Sequence, residues 1–160
     1  MKKVLMGTML VMALTSLAEV RSAEIGFAGY TGSETLTDFP ALIRLPDAVE
    51  GFSYADAGEH GEQVWFTDAN GTVLAHDIDS WNAEGKSYVW VKVPSLMGQT
   101  TKIRLFFGVD DVVALPGVTP TDVWGAYVAV VHGGSTGVRN ESPKGIVTSN
   151  GGGLVSSGAS

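Results

Sequence analysis

The fold is decided by residues 63–107, which read QVWFTDANGTVLAHDIDSWNAEGKSYVWVKVPSLMGQTTKIRLFF. Four runs rich in β-branched and aromatic residues are separated by short segments that contain Gly, Asn, Asp or Pro. Every second residue of 88–93 is Val, and Ile103, Leu105 and Phe107 alternate with Lys102, Arg104 and Phe106, which is the pattern of strands with one face in a core. The stretch therefore predicts an antiparallel meander with tight turns, the clearest of them at residues 68–71.

Further strands are predicted on both sides of this stretch. They cover residues 25–30, 39–45 and 122–132. Pro40 stands at the start of its strand, where no hydrogen-bond donor of the ladder is missed. Residues 47–62 are expected to form a loop held by Phe52 and Tyr54, with a short helical turn as the alternative. Together the strands predict an all-β fold, an antiparallel β-sandwich of jelly-roll type with about seven or eight strands.

Length and composition indicate one domain followed by a C-terminal part of different composition. The 160 residues are 44% hydrophobic and only 17% charged, with 21 glycines, which favours strands and turns over charged helices. The β-sandwich module is expected at 24–108, followed by a connection and an extra strand at 109–132. Residues 133–160 hold 8 glycines and 6 serines among 28 residues. This part is interpreted either as a flexible tail or as the start of a truncated second domain.

The N-terminus has the pattern of a secretory signal peptide. Lys2 and Lys3 precede an apolar run that is shorter than the ~20 residues a membrane-spanning helix needs. Cleavage is expected after Ala18, with Ala23 as the second candidate; the alternative is a buried N-terminal helix. Loss of residues 1–18 removes both lysines and no acid, so the net charge changes from −7 to −9. The prediction is a bacterial protein exported to the periplasm, outer surface or medium, without a membrane span after cleavage.

Several kinds of site are disfavoured by the residues present. The chain has no cysteine, which excludes disulfides, a thiolate nucleophile and Cys-based zinc sites. The net charge of −7 gives no electrostatic support for binding nucleic acid or anionic lipid. The three histidines are too dispersed for a metal motif, and the turn at 68–71 lacks most ligands of a calcium loop. No metal, cofactor or nucleic acid partner is therefore predicted.

Aromatic and acidic side chains of the central stretch are the candidate ligand-binding residues. They are Trp65, Asp77, Asp79, Trp81, Tyr88 and Trp90. Exposed Trp and Tyr side chains on a rigid sheet can stack against sugar rings, and nearby carboxylates can accept hydrogen bonds from hydroxyls. The alternative is that these rings cover a second core layer or the docking surface of a following domain.

A catalytic interpretation is also open for Asp77 and Asp79. Two residues apart on one strand, they are expected on the same face, and carboxylates ~5 to 9 Å apart can hydrolyse a glycosidic bond. In so acidic a chain the spacing alone is a weak signal, and no other acidic motif accompanies it. The residues favour a noncatalytic protein with no catalytic residue.

The central blocks resemble a known family. The blocks are GYTGSETL (29–36), FPALIRL (39–45), FSYAD (52–56), VWFTD (64–68), DIDSW (77–81), VWVKVP (89–94) and FFG (106–108). In this order they resemble the bacterial domain of unknown function two-three-four-one, over about residues 25–107. The resemblance implies an exported surface protein in which this β-rich module is followed by a concanavalin-like or laminin-G-like jelly roll.

Segments that come after the module also resemble this family. Residues 122–124, 127–132 and 140–145 look like the opening of that second domain. The family has no established activity, so no catalytic residue carries over. The expected function is a noncatalytic cell-surface accessory or adhesion module that binds a glycan or a neighbouring jelly-roll domain. The alternatives are a fragment of a carbohydrate-active hydrolase and a structural spacer.

Overall fold

The computed structural model describes residues 20–46, 49–108, 119–127, 130–134, 137–140, 147–148 and 154–155. The predicted signal peptide at 1–18 and most of the predicted connection at 109–118 lie outside the described residues. Over the described part the chain is nearly all β, with a single short α-helix.

Seven strands form two antiparallel sheets. They are β1 (Arg21–Gly26), β2 (Leu36–Leu45), β3 (Trp65–Thr67), β4 (Val73–Leu74), β5 (His76–Ser80), β6 (Ser87–Leu96) and β7 (Lys102–Phe107). The first sheet has the strand order β1-β7-β3-β4, and the second has the order β2-β6-β5. Two short 3-10 helices, Tyr54–Asp56 and Gly98–Thr100, lie in the connections. The predicted all-β antiparallel sandwich is confirmed.

One hydrophobic core lies between the two sheets. Ile103 and Leu105 of the first sheet and Val89 and Val91 of the second belong to the same buried cluster. Their neighbours in sequence are more exposed, so the alternation along β6 and β7 places one face of each strand in this main core. Phe52 of the long loop packs against the same core, as predicted.

The predicted continuous meander is wrong. β3 and β4 pair in the first sheet, β5 and β6 pair in the second, and β7 returns to the first sheet between β1 and β3. The chain crosses between sheets within one residue of Leu74, where the Lys92 N–H donates to the Ala75 carbonyl at 2.9 Å. A single meander would leave one apolar face uncovered, whereas two sheets bury both apolar faces against each other.

The turn predicted at residues 68–71 is present. The Asp68 carboxylate accepts hydrogen bonds from the backbone N–H groups of Asn70 and Thr72, each at 2.8 Å. Gly71 has φ 85°, a left-handed conformation that glycine adopts without steric cost. The turn joins β3 to β4 as a tight hairpin, and among the described residues no cluster of His, Cys, Asp or Glu could hold a metal ion.

The strand predicted over residues 122–132 is a helix in its first part. Helix α1 (Pro120–Trp124) starts at Thr119, which forms a capping box with Asp122, and Pro120 occupies the first turn. Val131–Gly134 forms a strand, β8, which pairs with β9 (Gly137–Asn140). The Gly/Ser-rich tail also contains a two-stranded ladder of β10 (Val147–Thr148) and β11 (Leu154–Val155).

Candidate functional site

The structure separates the six candidate residues instead of gathering them. Trp65 lies on the outer face of the first sheet, where it meets Phe106. Asp77, Tyr88 and Trp90 belong to the second sheet, and Trp90 meets helix α1. Trp81 packs against the main core, and Asp79 is exposed. No single surface therefore holds the whole predicted set.

Trp81 is a packing residue. Its ring lies edge to face with Tyr54 at a centroid distance of 5.3 Å and with Phe52 at 6.3 Å. Gly61, at φ 80°, closes over the same ring, and a Cβ at that position would come within 2.8 Å of Trp81 and Ile78. The alternative interpretation, a ring that covers a core layer, describes Trp81.

Trp90 lies under the segment that comes after the sandwich. Together with Ala75 it packs against a second buried cluster, which consists of Val123, Trp124 and Val130. The Trp90 and Trp124 rings meet edge to face with centroids 5.4 Å apart, a geometry that contributes about 0.5–1.5 kcal/mol beyond area burial. Helix α1 thus covers part of the outer face of the second sheet.

Asp77 anchors this helix. The side chain is buried, with only 1% of its surface exposed, and its Oδ2 accepts a hydrogen bond from Trp124 Nε1 at 3.0 Å. A hydrogen bond to an ionised group contributes about 1.5–3 kcal/mol. The partner is 47 residues away in sequence. Asp77 therefore ties the segment after the sandwich to the strand β5.

The role of Trp124 was missed by the sequence reasoning, because its neighbourhood was assigned to a strand. The missed signal is Thr119-Pro120-Thr121-Asp122, a helix start. In the structure the Thr119 hydroxyl and backbone N–H donate to Asp122 Oδ2 at 2.7 and 2.9 Å. The hydroxyl hydrogen bond, followed by the backbone one, holds the pKa of Asp122 below its usual value.

Asp77 and Asp79 do not share one environment. The β5–β6 register shifts between Ile78 and Ser80, so the regular alternation on which the shared face was predicted is interrupted at Asp79. Asp77 is buried beneath Trp124, whereas Asp79 is exposed.

The outer face of the first sheet carries a second aromatic contact. Trp65 and Phe106 stand opposite each other on β3 and β7, and their rings stack with centroids 5.0 Å apart and planes inclined by 7°. Both side chains are half-buried. We call these two residues the aromatic pair. Phe106 was not predicted as a site residue, although it alternates with the core residues Leu105 and Phe107.

A small polar pocket lies on the same sheet. Its volume is about 70 Å³, and its charged lining residues are Glu24, Asp68, Lys102 and Arg104. Lys102 Nζ forms an ion pair with Glu24 Oε1 at 3.0 Å. The Asp68 carboxylate is held by its own turn. Cationic and anionic groups are therefore equal in number around this polar pocket.

A wider cleft of about 370 Å³ opens between strands β1 and β2. Its lining is almost wholly apolar and includes Ile25, Phe27, Phe39 and Leu42. None of the candidate residues predicted from sequence lines it.

His76 lies at the point where the chain passes between the sheets. Its ring is 5.4 Å from that of Phe66, and its Nδ1 is buried without a hydrogen-bond partner in the described part of the chain. Burial lowers the pKa of His76 from 6.5, although the Leu74 backbone hydrogen bond and the charge of Asp77 act in the opposite direction. The native fold therefore favours the neutral imidazole.

This burial predicts a pH dependence of stability. As pH falls below 6.5, unfolded His76 takes up a proton that the native state resists, so the free energy of unfolding decreases until the lower native pKa is reached. The slope is at most about 1.4 kcal/mol per pH unit for one proton. Urea denaturation between about pH 5 and 8 measures it. His76→Leu should flatten the slope, whereas His60→Gln, at an exposed position, should not; equal slopes in wild type and His76→Leu would contradict the assignment.

Of the comparisons with known proteins, one found a match, to a protein-family model. No curated protein and no solved structure matches the chain. Among the described residues no helix is long and apolar enough to cross a membrane. The matched family segment contains strands β3 to β7, while the blocks quoted before residue 60 lie outside it. Residues 60–119 match the family model described as Domain of unknown function (DUF2341), so the resemblance seen in the sequence is confirmed.

Proposed function

We propose that the protein is a noncatalytic, exported accessory module of a bacterial surface protein, whose second sheet holds the chain segment that comes after the sandwich. The observation that carries this proposal is the buried hydrogen bond from Trp124 Nε1 to Asp77 Oδ2. It joins a strand of the sandwich to a segment beyond the sandwich. Such an anchor fixes the position of whatever the chain carries next.

Packing around the anchor supports docking over ligand binding on this face. Val123 and Trp124 of α1 are buried against Trp90 of the second sheet and against Ala75, which precedes β5. The part of the Trp90 ring that α1 covers is closed to a sugar. The second sheet is therefore assigned to docking of the following segment.

The carboxylates support a noncatalytic role. A glycosidase needs two carboxyl groups that both face the scissile bond. Asp77 is buried under Trp124, and Asp79 stands exposed at a register shift. Their different surroundings give no support to the hydrolase alternative.

Glycan contact is the second candidate function, and the aromatic pair favours it. Trp65 and Phe106 lie on the outer face of the first sheet, away from α1, and both side chains are partly buried. This face is free of the helix that covers Trp90. We therefore assign the proposed glycan contact to the first sheet.

Hydrogen exchange on residues 20–160 tests the docking function. Trp90→Ala should accelerate exchange in residues 119–127 by at least about tenfold, since a loss of 1.4 kcal/mol changes an opening equilibrium tenfold. Strands β1 and β7 should stay protected. Leu42→Ala is the matched control, because Leu42 pairs with Trp90 in the sheet but is 47% exposed. Unchanged protection of 119–127 in Trp90→Ala would overturn the docking proposal.

A further inference from the structure

The aromatic pair and the polar pocket lie side by side on the outer face of the first sheet. We propose that they form one binding site for an uncharged sugar residue. The aromatic pair contacts the C–H face of the sugar, and Arg104, Lys102 and Glu24 bind its hydroxyl groups. This inference rests on the glycan-binding part of the proposed function, and it goes further by naming the residues and the class of sugar.

The aromatic pair supplies an ordered apolar contact. Trp65 and Phe106 are directly opposite each other in the ladder, and the 5.0 Å stack holds each ring in place with the other. Aromatic rings offer a large contact area with few torsions to immobilise. Since both side chains are only half-buried, part of the pair's ring surface remains open to a ligand.

The polar pocket lies within reach of the same ligand. Arg104 is two residues from Phe106 on β7 and shares its face of the sheet, a separation of roughly 7 Å. Glu24 on β1 stands opposite Arg104. The aromatic pair and the polar pocket are therefore neighbouring parts of one surface.

Some charged groups of the polar pocket pair with each other, and one of them does not. Lys102 and Glu24 pair with each other at 3.0 Å, and both are about half exposed. Arg104 is exposed and makes no ion pair or side-chain hydrogen bond within the described part of the chain. Its guanidinium offers five N–H donors, while Glu24 offers acceptor oxygens beside it.

Charge decides which sugar fits. Two cations and two carboxylates line the polar pocket, so it provides donors and acceptors without net charge. Sugar hydroxyls both donate and accept, and they match such a mixed set. The chain as a whole carries a net charge of −7, which repels polyanions. An uncharged sugar therefore fits this surface better than an acidic one.

The test is a glycan array that contains uncharged, uronic acid and sialylated glycans, followed by titration calorimetry with each hit. Residues 20–160 should bind uncharged glycans, with little dependence on salt. Trp65→Ala and Arg104→Gln should each weaken binding at least tenfold, the size of effect that marks an anchor residue. Leu42→Ala, an exposed apolar residue of the other sheet, is the matched control and should bind as wild type does.

The outcomes separate the inference from the proposed function. Binding of acidic glycans alone would overturn the inference and leave glycan binding standing. Binding of uncharged glycans that survives in folded Trp65→Ala and Arg104→Gln would place the site elsewhere and overturn the inference. The absence of any bound glycan would overturn both the inference and the glycan-binding function, without touching the docking function. Arg104 is exposed, so Arg104→Gln keeps the test decisive even if Trp65→Ala does not fold.

Discussion

Replacing Phe66 with alanine is expected to lower the free energy of unfolding by about 3–5 kcal/mol. The side chain is 0% exposed. Phe66 stands on β3 between Leu105 of β7 and Leu74 of β4, so its ring packs at the centre of the first sheet's inner face. Truncation removes apolar contact and leaves a cavity that the two sheets cannot fill. Urea denaturation followed by circular dichroism measures the loss.

Val73 provides the control for this change. It lies on the neighbouring strand β4, but it is 38% exposed and faces away from the main core. Val73→Ala should therefore change the free energy of unfolding by no more than about 0.5 kcal/mol. If Phe66→Ala cost as little as Val73→Ala, the main core would not lie between the two sheets.

Replacing Trp124 with alanine is expected to cost about 3–5 kcal/mol of unfolding free energy. The change removes the ring that packs on Trp90 and also the N–H that donates to the buried Asp77 carboxylate. The loss of one donor to a buried carboxylate adds to the packing loss. Urea denaturation gives the size of the effect.

Trp124→Phe separates the two contributions. Phenylalanine keeps most of the ring contact but has no donor for Asp77, so the expected loss is about 1.5–3 kcal/mol. Tyr127→Ala is the control in the same segment, since Tyr127 touches Trp124 but is 39% exposed and should cost less than either change. If Trp124→Phe were as stable as wild type, the hydrogen bond to Asp77 would not anchor the helix.

The inner face of β6 and the turn after β3 could be predicted because neighbouring residues in the sequence determine them. The alternation of Val89, Val91 and Val93 with larger or charged residues marks the inner face of β6, and the structure buries all three. The turn after β3 could be predicted for the same reason, since Asp68 and Gly71 supply its hydrogen bonds and its positive φ.

Pairing between distant segments could not be predicted in this way. The alternation in β4 and β5 is the same whether the chain continues one sheet or crosses to the other. The register shift at Asp79 depends on how β5 meets β6. The environment of Asp77 depends on Trp124, which lies 47 residues away. The sequence therefore predicted which residues are candidates for the site. It could not predict that they lie on two different sheets, because that depends on the tertiary structure.

The position of β7 in the first sheet determines when that sheet can form. Arg21 at the start of β1 pairs with Phe107 at the end of β7, and β7 also supplies the partner of β3. The first sheet therefore cannot join β1 to β3 until β7, the last of its strands in sequence, is available. A large loop must close before these contacts form. Folding rates fall as contacts become more distant in sequence. A chain that emerges from its N-terminus must therefore keep β1 without its ladder partner until β7 has emerged, so we expect the first sheet to complete its pairing after the second.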